Sequence, residues 1–418
     1  MFLAMLYEQW HSTVQARRND LALRDAASGR RWTFAQLFAE GESWPALSEP
    51  IVCPRGQGPE FIFSLLSAWR TEKIVCPLEI GQSLAEIAPL PKNCVHLKWT
   101  SGTTDTPQMI AFTGKQLAAD AVQIVKAMGL RPAWPNLGVI SPAHSYGFSN
   151  LVLPLLLHGI PLILAPAPLP EMVRRAVEGE SAVTLPAVPA LWRTWSEAGS
   201  IPPSVRLAIS AGAPLPLNLE QSIFDSTGVK IHNFYGASEC GGIAYDSSAT
   251  PRQDASLAGS PMPDVKLSLN GEGCLVVHSP AVGETYWPQP TESLGGGQFQ
   301  SNDLAELLDT AVFLRGRACD VINVAGRKVF PETIERALLS HPQVRECLVF
   351  GTPDCDSARS EMIVALVASD LEESALKKFL LGKLPAWQAP RRWKFVESLP
   401  RGPRGKISRA ECRAKFMA

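Results

Sequence analysis

Over the first 250 residues, short apolar runs alternate with longer amphipathic stretches. Arg31-Trp32-Thr33 reads as a short strand running into a Thr-capped helix start at Phe34. Residues 61–69 predict a helix and 74–78 a buried strand closed by Pro77. An apolar-flanked run at 95–99 follows, and Thr113 then caps a helix to about Met128. Residues 137–140, 182–185 and 205–210 read as strands, with a helix start near Pro189. Strands alternating with helices imply βαβ units and parallel sheet. From about residue 258 the texture changes. Residues 265–269 and 274–278 flank Asn270-Gly271, a hairpin signal. A third region starts near Gly316: helix at 331–339, strands at 347–350 and 363–367, helix at 372–384. The expected fold class is α/β. A large multi-subdomain N-terminal domain (1–317) has βα layers and a β-rich appendage; a small α+β domain (318–418) follows.

The segment 151–170 is almost wholly apolar and about as long as a membrane span. His158-Gly159 and five prolines interrupt it, so a buried helix, a glycine turn and a core strand explain it better. The start of the chain is apolar but short, without a basic region or cleavage site, and reads as a helix start. Charge adds little: 39 Lys+Arg balance 40 Asp+Glu, which argues against a nucleic-acid footprint. Nine scattered cysteines show no metal or disulfide spacing and read as reduced thiols of a cytoplasmic protein.

Five stretches carry candidate chemistry. Thr100-Ser101-Gly102-Thr103-Thr104 clusters hydroxyls and backbone N–H groups that suit a polyanion, yet no Walker-type Gly-Lys-Ser/Thr follows. In Asn233-Phe234-Tyr235-Gly236-Ala237-Ser238-Glu239 an aromatic beside glycine suits a base, and a hydroxyl before a carboxylate suits phosphate and a hard cation. The others are Ser301-Asn302-Asp303, Phe313-Leu314-Arg315-Gly316-Arg317, and the basic loop from Pro400 to Arg409. Each alone is an ordinary turn or tail.

In this order the five resemble the ANL superfamily of adenylate-forming enzymes, and the resemblance covers almost the whole chain. It implies that Thr100, Ser101, Gly102, Thr103 and Thr104 wrap the β- and γ-phosphates of ATP. Gly212 and Ala213, in Ala211-Gly212-Ala213-Pro214, match the segment framing the adenine, with Asn233 contacting and Tyr235 stacking on the base beside Gly236. Ser238 matches the α-phosphate contact and Glu239 the Mg²⁺ ligand. Asp303 matches the ribose-gripping carboxylate, Arg317 a nucleotide contact, and Lys406 the lysine bridging substrate carboxylate and α-phosphate. His144, Tyr146 and Gly147 match the acid-pocket segment, a satisfied core histidine being the plainer reading of His144. Gly326 matches the loop beside the thiol tunnel, and a hinge at about residues 318–320, with Cys319, would let a mobile C-terminal domain swing.

The resemblance implies an acid–thiol ligase of the acyl- or aryl-CoA synthetase kind, AMP-forming, that uses ATP and Mg²⁺. The acid is aryl or a short-to-medium acyl chain. An α-amino acid fits less well, since no carboxylate presents itself in the pocket segments. The acceptor is coenzyme A or the phosphopantetheine arm of an acyl carrier protein, with CoA the commoner in the family. A degenerate nucleotide-binding protein and an oxidative, luciferase-like enzyme are the rivals.

The chain departs from the family at several points. Asp105 replaces a glycine and Gln108 a lysine in the phosphate loop. A carboxylate there costs roughly 3 kcal/mol for unit charges ~5 Å apart at an effective dielectric of about 20, less with solvent exposure. Ser301-Asn302-Asp303 replaces Thr-Gly-Asp, and Cys319 takes the place of the usual hinge aspartate or lysine. Only about 20 residues separate Leu78 from Thr100, so this is a compact form with a shortened N-terminal subdomain.

Overall fold

The computed structural model describes residues 2–84, 93–100, 108–353, 361–400, 407 and 409–417. One large sheet organises the first 317 residues. Its parallel half runs Leu21–Asp25, Leu162–Leu164, Asn136–Gly138, Val183–Ala187, Val205–Ser210, Ile231–Ala237. Helices supply the crossovers, as the alternating texture predicts. The helix Phe34–Ser43 opens on a Thr33/Gln36 capping box, and Gly114–Met128 on one between Thr113 and Gln116.

The β-rich appendage is built directly onto this sheet. Its antiparallel strands continue the same sheet from Gly241–Tyr245 through Leu257–Pro261, Ala311–Arg317, Gln298–Leu308 and Cys274–His278 to Lys266–Leu269. The last two form the expected hairpin. Ile231–Ala237 is parallel to one neighbour and antiparallel to the other, so the sheet changes character at the strand that carries Asn233 and Tyr235.

A second sheet orders Thr285–Trp287, Met109–Phe112, His96–Trp99, Ile74–Val75 and Ile51–Val52. Val75 pairs directly with His96 in parallel, so the short connection between them joins neighbours. The apolar segment folds as a π-helical turn Phe148–Val152, the helix Leu153–His158 and the core strand Leu162–Leu164. Among the described residues no helix is long and apolar enough to cross a membrane.

Beyond residue 320 a distinct core forms from Ile322, Ile334, Val349, Val367 and Leu376. It covers the three-stranded sheet Val344–Pro353, Glu361–Ser369, Arg392–Phe395. The helix Pro331–Leu339 begins on proline, whose missing N–H is an orphan donor there anyway.

Candidate active site

Pairing of Val183–Ala187, Val205–Ser210 and Ile231–Ala237 places Ala187, Ser210 and Asn233 side by side, the first two at the carboxyl ends of their strands. Open α/β sheets bind ligands at this end. Gly212 and Ala213 leave it exposed, directly after the buried Ala211. Asn233 Nδ2 donates to the carbonyls of Leu257 (3.3 Å) and Ala258 (3.4 Å), across the sheet.

Tyr235, Asp303 and Arg317 meet, although they come from different strands. The Tyr235 hydroxyl donates to Asp303 Oδ2 at 2.5 Å, and Arg317 Nε donates to Oδ1 at 3.1 Å. Cross-strand register sets Arg317 opposite Asp303. Burial, then Asp303, pushes the Tyr235 phenol well above its usual range. Ser301 Oγ accepts from the Asp303 N–H (3.1 Å) and donates to the Leu275 carbonyl (2.9 Å), so Ser301-Asn302-Asp303, expected as a turn, lies within the strand Gln298–Leu308 and is held there by serine.

Ser238 and Glu239 lie in the turn between Ile231–Ala237 and Gly241–Tyr245, just past Gly236. Tyr286 donates to Glu239 Oε1 at 3.0 Å. Burial raises the Glu239 carboxyl above the ordinary range, against the hydrogen bond from Tyr286. Among the described residues no group of three or more His, Cys, Asp or Glu could hold a metal.

The hydroxyl loop is closed by a neck. The Thr100 N–H and hydroxyl both donate to the Gln108 carbonyl, at 2.8 and 3.0 Å. Antiparallel pairing of Trp99 with Met109 leads into it. Ser101, Gly102, Thr103, Thr104 and Asp105 lie outside the described residues, as does Lys406.

His144 is part-exposed, and its Nε2 lies 3.3 Å from Glu79 Oε1, so it is no core histidine. Ser141 Oγ donates to the same oxygen at 2.5 Å. The Glu79 carboxylate thus stands beside this segment. Sequence reading missed Glu79 because it follows a strand more than 60 residues upstream. Tyr146 points its hydroxyl at the carbonyls of Ala187 (3.4 Å) and Ile209 (3.5 Å), reaching the sheet's carboxyl end. Gly147 is buried, and a Cβ there would overlap the Ser141 carbonyl. It allows close packing of the backbone against Ser141.

The profile of the family described as AMP-binding enzyme matches residues 65–287, more than half the chain, and that of the AMP-binding enzyme C-terminal domain matches 333–406. This chain belongs to the AMP-binding enzyme family. It is 24% identical over 360 residues to a long-chain-fatty-acid–CoA ligase of Bacillus subtilis (strain 168), covering 78% of this chain and 64% of that one. It is 28% identical over 343 residues to a feruloyl-CoA synthase of Amycolatopsis sp, covering 77% and 69%. The chain thus spans about two thirds of the length of these relatives. Its fold matches that of ATP-bound MatB from Rhodopseudomonas palustris with a TM-score of 0.85 at 19% identity, covering 98% of each chain.

In this AMP-binding enzyme the strands around Asn233 rest on a buried charge network that no sequence motif announces. Lys230 Nζ contacts Glu220 at 2.5 Å and Asp246 at 2.7 Å, and Arg252 Nε contacts Glu220 at 2.9 Å. Arg252 also donates to the carbonyls of Leu257 and Leu215, each at 2.8 Å. Leu215 follows the Gly212 bend, and the Leu257 carbonyl also accepts from Asn233. Burial favours the neutral Asp246 carboxyl, but hydrogen bonds from Lys230 and Ser248 outweigh it and hold the group below its ordinary range. Its contribution to stability is complete above the unfolded-state value, near pH 4, and is lost as pH falls through the lower folded value. Unfolding midpoints from pH 6 to pH 2 should therefore fall more steeply for the parent than for Asp246→Asn. Parallel curves would show that Asp246 carries no acid linkage.

Gly326 sits at the tip of the hairpin between Ile322–Val324 and Arg327–Val329, with nothing within 4 Å of a Cβ placed there. Cys319 is exposed in a 3₁₀ turn, Ala318–Asp320, between the Arg317 strand and the C-terminal core. Arg409, three residues past Lys406, reaches back to that turn. It contacts Asp320, Glu332 (3.2 Å) and Glu335 (2.7 Å), and its Nε donates to the Val349 carbonyl at 2.8 Å.

Proposed function

We propose that the chain is an ATP-dependent acid–thiol ligase of the acyl- or aryl-CoA synthetase kind. A substrate carboxylate oxygen attacks the α-phosphorus of ATP, the bond to the β-phosphate oxygen breaks, and pyrophosphate leaves. The thiol of coenzyme A then gives up its proton and attacks the acyl carbon, and AMP departs. The convergence of Tyr235, Asp303 and Arg317 beside Glu239 carries this reading, because it assembles nucleotide-holding groups from distant strands at the ligand-binding end of the sheet.

In this reading Asp303 grips the ribose hydroxyls, Tyr235 stacks on the adenine, and Gly212, Ala213 and Asn233 frame it. Thr100 to Thr104 hold the outer phosphates, Ser238 the α-phosphate, and Glu239 would hold Mg²⁺, which neutralises phosphate charge. Lys406 offsets the repulsion between carboxylate and phosphate. Positioning and charge neutralisation do most of the work, since little covalent chemistry falls to the protein. The separate core beyond residue 320 supports a division into 1–317 and a mobile 318–418, hinged at Cys319, with Gly326 beside the thiol. Coenzyme A is preferred over a carrier protein because the two relatives named above are CoA ligases. The acid is aryl or short-to-medium acyl, and free thiols among the described residues support a cytoplasmic setting.

Pyrophosphate release should depend on an added acid from an aryl and aliphatic panel, and AMP release should then depend on coenzyme A. ATP binding without pyrophosphate release for any acid would overturn the reading in favour of a degenerate nucleotide-binding protein.

A further inference from the structure

Lys98 and Asp120 form a buried ion pair to which the proposed reaction assigns no task. Lys98 lies on the strand His96–Trp99, two residues before Thr100, and Asp120 on the helix Gly114–Met128. Their side chains are 4% and 2% exposed, with Nζ 3.8 Å from Oδ2. Asp120 spends its oxygens on two other segments. Oδ2 accepts from Ser149 Oγ at 2.5 Å, and Oδ1 accepts from the Gly242 N–H at 3.4 Å. Lys98 Nζ also lies 3.5 Å from Ser149 Oγ and 4.5 Å from the Phe112 ring centre.

These contacts join the three parts of the site. Lys98 leads into the phosphate loop. Ser149 belongs to the π-helical turn that follows His144, Tyr146 and Gly147, and such turns recur at functional sites. Gly242 follows the turn that carries Glu239. Gly241 takes φ +69°, and a Cβ there would overlap the Asp120 carboxylate, so the turn is pressed onto that side chain. Buried ion pairs are poor stability devices, since an apolar pair of similar volume is often as stable or more so. What accounts for this one is the set of segments its oxygens hold.

Resting on the ligase reading, we infer that Lys98 and Asp120 are a positioning pair for the adenylating half-reaction: Asp120 sets the spacing of phosphate strand, acid segment and Glu239 turn, and Lys98 supplies its counter-charge. Neither touches the reacting atoms. The phosphate-loop strand and the Glu239 turn serve ATP, so the second half-reaction should be nearly indifferent to the pair, whereas a purely structural pair would affect both steps.

The test is Lys98→Met/Asp120→Leu, which removes both charges and keeps the volume. Its thermal midpoint should stay within a few degrees of the parent. Pyrophosphate release with benzoate or hexanoate should fall at least tenfold, while CoA-dependent AMP release from synthetic benzoyl- or hexanoyl-adenylate should stay within twofold. MgATP affinity by calorimetry, which needs no turnover, should fall at least threefold. Parental values throughout, or equal loss in both half-reactions, would overturn the inference. Ser149→Ala keeps both charges and guards against misfolding of the double variant. It should slow adenylation three- to tenfold, and a parental rate would count against the pair. If the parent itself releases no pyrophosphate with any acid, the ligase reading fails, and calorimetry still decides the positioning role.

Discussion

Lys406→Ala should slow acid-dependent pyrophosphate release by about 10²–10³-fold, the range seen when one preorganised charge-stabilising donor is removed. The reason is electrostatic. A carboxylate must approach a phosphate, and the ammonium offsets their repulsion only while the two meet. Thioester formation from a preformed adenylate joins a thiol to a carbonyl and makes no such demand, so that half-reaction should stay within a few-fold of the parent. Arg409 supports the prediction, because its contacts with Asp320, Glu332 and Glu335 tie the chain just past Lys406 to the C-terminal core beside the 3₁₀ turn. Ile407 packs in the cluster of Leu348 and Phe350. Separate assays of the two half-reactions decide the matter; equal losses in both would sink the alternation of the C-terminal domain.

Glu220→Ala should be the most destabilising single change in the nucleotide-binding half, at about 3–5 kcal/mol. Glu220 is fully buried and serves two cations, Lys230 and Arg252. Its loss leaves Arg252 without a carboxylate among the described residues and Lys230 with Asp246 and the Ile231 carbonyl. Buried charge without its partner costs more than the pair ever contributed. The expected drop in thermal midpoint is roughly 5–15 °C. ATP affinity should fall with it even well below the midpoint, since Arg252 holds the carbonyls of Leu215 and Leu257 that border the adenine segment. Glu171→Ala provides the contrast. Its ion pairs with Arg174 and Arg175 are exposed, and its removal should cost under about 1 kcal/mol. Similar midpoints for the two variants would show that the buried network is dispensable.

Much of the architecture was legible along the chain. The Thr33 and Thr113 helix starts, the Asn270-Gly271 hairpin and the Pro331–Leu339 helix follow from local capping and turn chemistry, which acts over a few residues. Legibility failed where partners are distant. Glu79 meets His144 across 65 positions, Tyr286 meets Glu239 across 47, and Lys98 lies in an apolar-flanked run that gives no hint of an ion pair. No period or spacing encodes such encounters. The β-rich texture after residue 258 is visible, but its continuity with the parallel sheet is not, because strand order is set by packing.

By itself the sequence determined the order of the family's motifs along the chain and the α/β character of the fold, since these rest on residue types, local turns and the alternation of strands and helices. Only the tertiary structure decided which groups meet. It set Asp303 between Tyr235 and Arg317, pressed Gly147 against the Ser141 carbonyl, and placed one buried carboxylate, Asp120, against three segments. The physical reason is that hydrogen bonds and ion pairs act over about 3–4 Å, whereas the residues that make them here lie tens of positions apart and are brought together by sheet register and burial.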